Sequence, residues 1–216
     1  MQGTATGEGG TPGPLDLAGL VTARICHDLV SPLGAIGNGL ELLQLSAAMP
    51  GPERGMTAEL DLVGESVAAA RGRVACFRIA FGPAGGEQRL SRADLKALLR
   101  DLTAGGRLRV DLDSEADLSR AEAKMLLLAL MCMETALPWG GRVLVLRAAP
   151  GWRLVAEASR TKADPALWAW LGGDPALRRP APQPAEVQFP LLALEAAAHG
   201  RRLHWEVDET GAEIAF

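Results

Sequence analysis

Residues 56–81 read MTAELDLVGESVAAARGRVACFRIAF, and this stretch decides the fold. Met56, Leu60, Val63, Val67, Ala70, Val74, Phe77 and Phe81 follow one another at spacings that alternate between four and three. In a helix of about 3.6 residues per turn such positions form one narrow seam. A seam held over more than three heptads packs against other helices at small crossing angles. Outward from it, Met49-Pro50-Gly51-Pro52 stops an earlier helical pattern over 15–48. Gly82-Pro83 with Gly85-Gly86 closes the second pattern, which begins near residue 53. Residues 15–82 therefore predict a helical hairpin. Residues 1–14, mostly Gly, Thr and Pro, carry too few apolar groups to fold and predict a disordered N-terminus. Two helices alone leave the seam partly bare. Two copies of the hairpin make a four-helix bundle, which predicts a homodimer; docking on the chain's own second half is the other way to cover it.

From 88 to 216 the texture is α/β, which makes the fold class α+β. Ser91 with Asp94 opens a helix, and residues 107–113 pattern as a strand. Ser119 with Glu122 is a capping-box pair ahead of an apolar helix that ends near Leu137. Pro138-Trp139-Gly140-Gly141 turns the chain into strands at 142–148 and 152–159. Pro180-Ala181-Pro182-Gln183-Pro184 is a loop, followed by a short helix ending near Gly200 and a closing hairpin of 201–207 with 212–216.

Composition narrows the function. Of 216 residues 48% are hydrophobic and 22% charged, ordinary values for a globular chain, and the net charge of -4 gives no case for nucleic-acid binding. No apolar run is long enough to span a membrane and no signal peptide precedes the helices, so the expected location is cytoplasmic. Three scattered cysteines, Cys26, Cys76 and Cys132, fit neither a disulfide framework nor a zinc site and predict core positions. His27, His199 and His204 are as dispersed, so no metal site of the chain's own is expected. Gly140-Gly141 and Gly172-Gly173 lack phosphate-loop spacing and predict plain turns. His199 beside Arg201 and Arg202 suits a helix C-terminus, and Trp168, Trp170, His204 and Trp205 suit packing.

One residue stands apart. At 100° per residue, Ile25, Leu29, Leu33, Ile36, Leu40 and Leu43 form one stripe of the first helix, and His27 points roughly opposite it. Arg24, Ser31, Gly34 and Asn38 share the histidine's face: a cation, a hydroxyl, a bare backbone and an amide. An exposed imidazole of pKa near 6.5 offers a neutral nucleophilic nitrogen at neutral pH. Asp28 is placed to orient that ring or take its proton, Arg24 to offset phosphoryl charge, and Ser31 to hydrogen-bond a phosphoryl oxygen or a water. Gly34 lets another backbone approach closely. Pro32 breaks a helix rule one turn from the histidine, as a local shape requirement would.

His27-Asp28-Leu29-Val30-Ser31-Pro32-Leu33-Gly34-Ala35-Ile36 resembles the phosphoacceptor box of histidine kinases. Continued through Asn38-Gly39-Leu40-Glu41-Leu42-Leu43, it is similar to the ChpT-type histidine phosphotransferases of alphaproteobacteria. That resemblance makes His27 the phosphoacceptor, Asp28 its acidic neighbour and Ser31 the polar residue one turn on, with Arg24, Gly34 and Asn38 as phosphoryl or partner contacts. It implies residues 15–82 as a dimerisation and phosphotransfer hairpin, and 88–216 as a degenerate relative of the histidine-kinase ATP-binding (Bergerat) fold. Three of that fold's nucleotide boxes are missing. Cys132 aligns with the metal-binding asparagine, Glu157-Ala158-Ser159-Arg160-Thr161 replaces Asp-x-Gly-x-Gly, and Val187-Gln188-Phe189-Pro190-Leu191 stands where Gly-x-Gly belongs. A thiol is a poor Mg²⁺ ligand, so no nucleotide and no cofactor of its own is expected, with Mg²⁺ supplied by a partner receiver domain. The implied partners are the receiver of a CckA-type hybrid kinase and response regulators of the CtrA and CpdR types, in cell-cycle or motility control. Two other functions fit the residues: a non-catalytic dimer that binds receivers, and a divergent ATP-dependent histidine kinase.

Overall fold

In the computed structural model the chain is described for residues 13–48, 56–83, 88–103, 106–148, 151–172 and 181–216. The expected disorder of the first residues, the breaker at 49–52, Gly85-Gly86, Gly173 and Pro180 lie outside them. Helices α1 (Pro14–Ala48) and α2 (Met56–Ala80) pack antiparallel as the hairpin. Helix α1 runs on through Pro32, which lacks the N–H that would serve the Asp28 carbonyl one turn back. The two helices approach closely at Gly39, where an added Cβ would stand 2.5 Å from Val63 Cγ2.

The seam is divided in a way its spacing did not reveal. Phe77 is buried and Val63 and Ala70 are half-buried, but Leu60, Val67 and Val74 remain 56%, 37% and 44% exposed. On α1, Ile25, Leu29, Ile36 and Leu43 are half-buried, Ile25 and Leu29 against the main core, whereas Leu33 and Leu40 stay exposed. Because the helices are antiparallel, both exposed rows fall on one flank of the hairpin. The other flank carries Asp28, Ala35, Ala69 and Arg73, which border a cleft toward the second half of the chain.

The C-terminal end of α2 belongs to the main core. Cys76, Phe77, Ile79 and Ala80 are buried with Leu95, Leu98, Leu99 and Leu102 of α3 (Arg92–Thr103). Gly72 makes that contact possible: a Cβ there would meet the Asp101 carbonyl carbon at 2.7 Å and its oxygen at 2.8 Å, both rigid backbone. Gly72→Ala must therefore push α2 and α3 apart, and a loss of about 1–3 kcal/mol is expected in denaturant unfolding. An unchanged midpoint would show that the helices separate freely.

Behind them, β2 (Leu108–Asp113), β4 (Gly141–Ala148), β5 (Gly151–Glu157), β7 (Gly211–Ala215) and β6 (His204–Val207) form a sheet in the order β2-β4-β5-β7-β6. Among the described residues only the β2–β4 pair is parallel. Short strands β1 (Arg89–Leu90) and β3 (Leu118–Ser119) pair beside the sheet. Helix α4 (Arg120–Ala136) is buried almost all round, with the sheet on one side and α2 and α6 (Gln188–Ala198) on others, which explains its lack of a polar face. The Trp168 ring packs edge-on against Phe189 and beside Trp205, as packing residues do. Asp164 caps the short α5 (Pro165–Trp168), accepting from Ala166 N and Leu167 N, a signal the Asp-Pro pair carried. Gly140 holds φ at +95° in the turn before β4, and its N–H donates to the Leu137 carbonyl at 2.9 Å, the i→i+3 bond of a turn.

The expected capping box opens α4. Ser119 Oγ accepts from Glu122 N at 3.2 Å, and Glu122 Oε2 accepts from Ser119 N and Oγ, both at 2.9 Å. Glu122 Oε1 also accepts from Arg147 at 2.7 Å. Burial pushes the Glu122 carboxyl up, but the Ser119 and Arg147 hydrogen bonds outweigh it and hold its pKa below the usual value. A depressed carboxyl stabilises the fold above its unfolded pKa, and that stability disappears as pH falls through the lower folded value. Glu122→Gln is expected to cost about 1 kcal/mol at neutral pH. It should also flatten the loss of stability on acidification below about pH 4.5. Equal acid sensitivity in both proteins would rule this out.

Candidate functional site

His27 sits mid-way along α1 with its side chain 80% exposed, on the face the helical wheel assigns. Its Nδ1 lies 3.0 Å from Asp28 Oδ1. A carboxylate accepts and does not donate, so a hydrogen bond here requires the proton on Nδ1 and turns Nε2 away from the carboxylate. Asp28 is itself held, because its Oδ2 accepts from Arg24 Nε at 2.7 Å.

Arg24 corrects the sequence expectation. It does not lie open beside His27 but is 8% exposed, turned toward Asp28 and the second half of the chain. There Nη1 donates to the carbonyl of Ala185 at 2.5 Å, in the 3-10 turn Pro184–Glu186. The carboxylate at i+4 and a backbone carbonyl capture the guanidinium from solvent, so its charge is already compensated. Ser31, Gly34 and Asn38 are exposed as expected, and the space around Gly34 is open to a partner.

Below the histidine, Asp28, Ser31 and Pro32 edge a cleft of about 370 Å³ between the hairpin and the end of α3, with Glu65 and Arg73 on its far wall. Arg73 joins α2 to α4 through Glu134 at 3.1 Å. Burial disfavours the Arg73 charge, yet Glu134 and Asp28 hold its pKa above the ordinary guanidinium value. The role of Arg73 was not legible in the sequence, because its partner is 61 residues away. Ala185 acts through its backbone, which leaves no sequence signal at all.

The cysteines divide. Cys76 and Cys132 are buried as expected, and burial pushes the Cys76 thiol up to about 12 and the Cys132 thiol well above its usual value. Neither forms a thiolate nucleophile. Cys26 is a correction: it is exposed, one position before His27 on the solvent side of α1. His199 ends α6 with Nδ1 2.9 Å from Glu195 O, a helix-end role. Among the described residues no three His, Cys, Asp or Glu side chains converge on a metal position, and no helix is long and apolar enough to cross a membrane.

Fold and site together define a class: a helical hairpin that presents a carboxylate-held histidine to solvent, buttressed by a mixed α/β half. Residues 92–211 match the family model described as the histidine phosphotransferase C-terminal domain, and the chain belongs to that family. It is 48% identical over 71 residues to the protein phosphotransferase ChpT of Brucella abortus, a match that spans 33% of this chain and 31% of that relative's length. A solved bacterial phosphotransferase superposes with a TM-score of 0.75 at 25% identity, covering 97% of this chain and 99% of that one.

Proposed function

We propose that the protein relays a phosphoryl group between receiver-domain aspartates through phosphohistidine at His27. The observation that carries this is the outward-facing imidazole, whose Nδ1 is occupied by Asp28. Nε2 attacks the phosphorus of a receiver's aspartyl phosphate, the P–O bond to that aspartate breaks, and its carboxylate leaves with the electron pair. The aspartate of a second receiver then attacks the phosphohistidine and Nε2 leaves. Asp28 keeps the ring in the nucleophilic tautomer. Ser31 hydrogen-bonds the incoming phosphoryl oxygen, while Gly34 and Asn38 form the surface on which the receiver lands. Catalysis here is mostly positioning, which a rigid helix provides.

The receiver brings the Mg²⁺ that its own aspartate chemistry uses, and this chain contributes no cofactor. The α/β half docks receivers and binds no nucleotide. Support comes from Cys132, fully buried at the position aligned with a metal-binding asparagine. The exposed apolar flank of the hairpin supports a homodimer built as a four-helix bundle. Likeness to ChpT supports a CckA-type donor, CtrA- and CpdR-type acceptors and a cytoplasmic setting in cell-cycle control.

Two labelled-phosphate reactions test the reading, one with ATP and Mg²⁺ alone and one with a prephosphorylated receiver domain. Label taken from the receiver only, and lost in acid, is the expected result. Label from ATP alone would make the protein a kinase. Binding of the receiver without any label would leave a non-catalytic docking protein.

A further inference from the structure

The Ala185 carbonyl is a junction. It accepts from Arg24 Nη1 on the hairpin and from Gln188 Nε2 at 2.9 Å within the α/β half. Gln188 is fully buried, and its amide nitrogen also reaches Thr135 Oγ1 at 2.8 Å and the Met131 carbonyl at 3.4 Å on α4. Two of those three partners are carbonyls, which only accept, so the amide nitrogen must face them. A continuous polar chain therefore runs from α4 through Gln188, the Ala185 carbonyl, Arg24 and Asp28 to Nδ1 of His27. An apolar side chain would pack at position 24 without the desolvation a guanidinium suffers there. A buried cation in that place indicates a task beyond packing.

We propose that Arg24 is a positioning residue that ties the tautomer of His27 to the docking of the α/β half, by holding Asp28 with one nitrogen and the Ala185 carbonyl with another. This deepens the phosphoacceptor role proposed for His27 and rests on it. With both contacts made, Asp28 Oδ2 is occupied and Oδ1 is aimed at Nδ1, which keeps Nε2 free to attack. When the Ala185 turn moves away, Arg24 loses its second anchor, Asp28 gains freedom, and the ring can place its proton on Nε2, where it blocks attack. The α/β half thus adjusts the readiness of the phosphoacceptor without touching it.

The test reads the His27 ring directly. Long-range ¹H–¹⁵N spectra distinguish the two neutral tautomers. The native protein should show mainly the Nδ1–H form. Arg24→Met should shift it toward Nε2–H as Asp28→Asn does, and Gln188→Leu should shift it in the same direction by less. Uptake of label from a phosphorylated receiver should fall about tenfold in Arg24→Met. It should fall no further when Arg24→Met is added to Asp28→Asn, since Arg24 acts through that carboxylate. An unchanged tautomer in Arg24→Met or Gln188→Leu overturns the proposal, as does an additional loss in the double variant. If Arg24→Met fails to fold, Arg24→Lys gives the same reading, because one ammonium cannot reproduce a two-nitrogen span. The tautomer needs no transfer to be measured. Failure of the native protein to take label would therefore sink the proposed function while leaving this inference to be decided by the spectra.

Discussion

His27→Gln is expected to abolish acid-labile labelling from a phosphorylated receiver, a loss of at least about a thousandfold that places the signal below detection. A glutamine amide keeps the size and polarity of the side chain but has no nucleophilic lone pair on nitrogen, so no phosphoramidate bond can form. The fold should be indifferent to the change. The His27 side chain is 80% exposed and its recorded hydrogen bond is to Asp28, so unfolding should shift by no more than about 0.5 kcal/mol. Receiver binding should persist, since the surface around Ser31, Gly34 and Asn38 is untouched. Asp28→Asn makes the graded companion: the nucleophile remains but the carboxylate that holds Nδ1–H is gone, and transfer should slow by about ten- to a hundredfold. Full labelling of His27→Gln would move the phosphoacceptor elsewhere, and His199, whose Nδ1 also has a carboxylate beside it (Glu195 Oε1 at 3.6 Å), would be the next histidine to replace.

The second large effect concerns the bare flank of the hairpin. Leu33 and Leu40 on α1 and Leu60, Val67 and Val74 on α2 present one apolar surface, more than a solvated helix pair keeps without a partner. Leu40→Glu with Val67→Glu sets four carboxylates into the centre of the bundle that two copies would form. Burying them unpaired should weaken association by at least about a hundredfold, turning a dimer into a monomer in sedimentation at micromolar concentration. The monomer itself should fold, because both positions are already exposed in the single chain. It should also still take label, because His27, Asp28 and Arg24 all lie in one chain and on other faces of α1. A native protein that sediments as a monomer would defeat the dimer, and a doubly charged variant that stays dimeric would place its interface elsewhere.

Local chemistry in the sequence foretold much of this. The described helices end and begin beside the predicted proline and glycine clusters, Ser119 with Glu122 announced the start of α4, and strand-like patterning with turn signals located the five main strands to within a few residues. The wheel placed His27 outward because helical periodicity alone decides direction when a helix is long and unbroken. Strands β1 and β3 escaped notice, for two residues carry no period, and α5 was passed over although Asp164-Pro165 is a helix-start signal. The exposure of Cys26 was misjudged because a small apolar residue reads as core wherever it falls.

Position 24 shows where local reading stops. Spacing put Arg24 within reach of the histidine's face, and i-3 is a true neighbour on a helix. A long flexible side chain, however, goes to its strongest partners, and these were Asp28 one turn on and a carbonyl 161 residues away. What the sequence by itself determined are the features that arise within a few turns of chain: two long helices, an exposed histidine with an acidic neighbour, a capped apolar helix, and α/β texture beyond residue 88. Only the tertiary structure decided which half of the seam is left bare, that Gly72 lets α2 and α3 meet, and that Arg24 serves Asp28 and the Ala185 turn. The physical reason is range. Periodicity and capping are set by bonds between near neighbours, whereas burial and the capture of a charge depend on which distant surface arrives to compete with water.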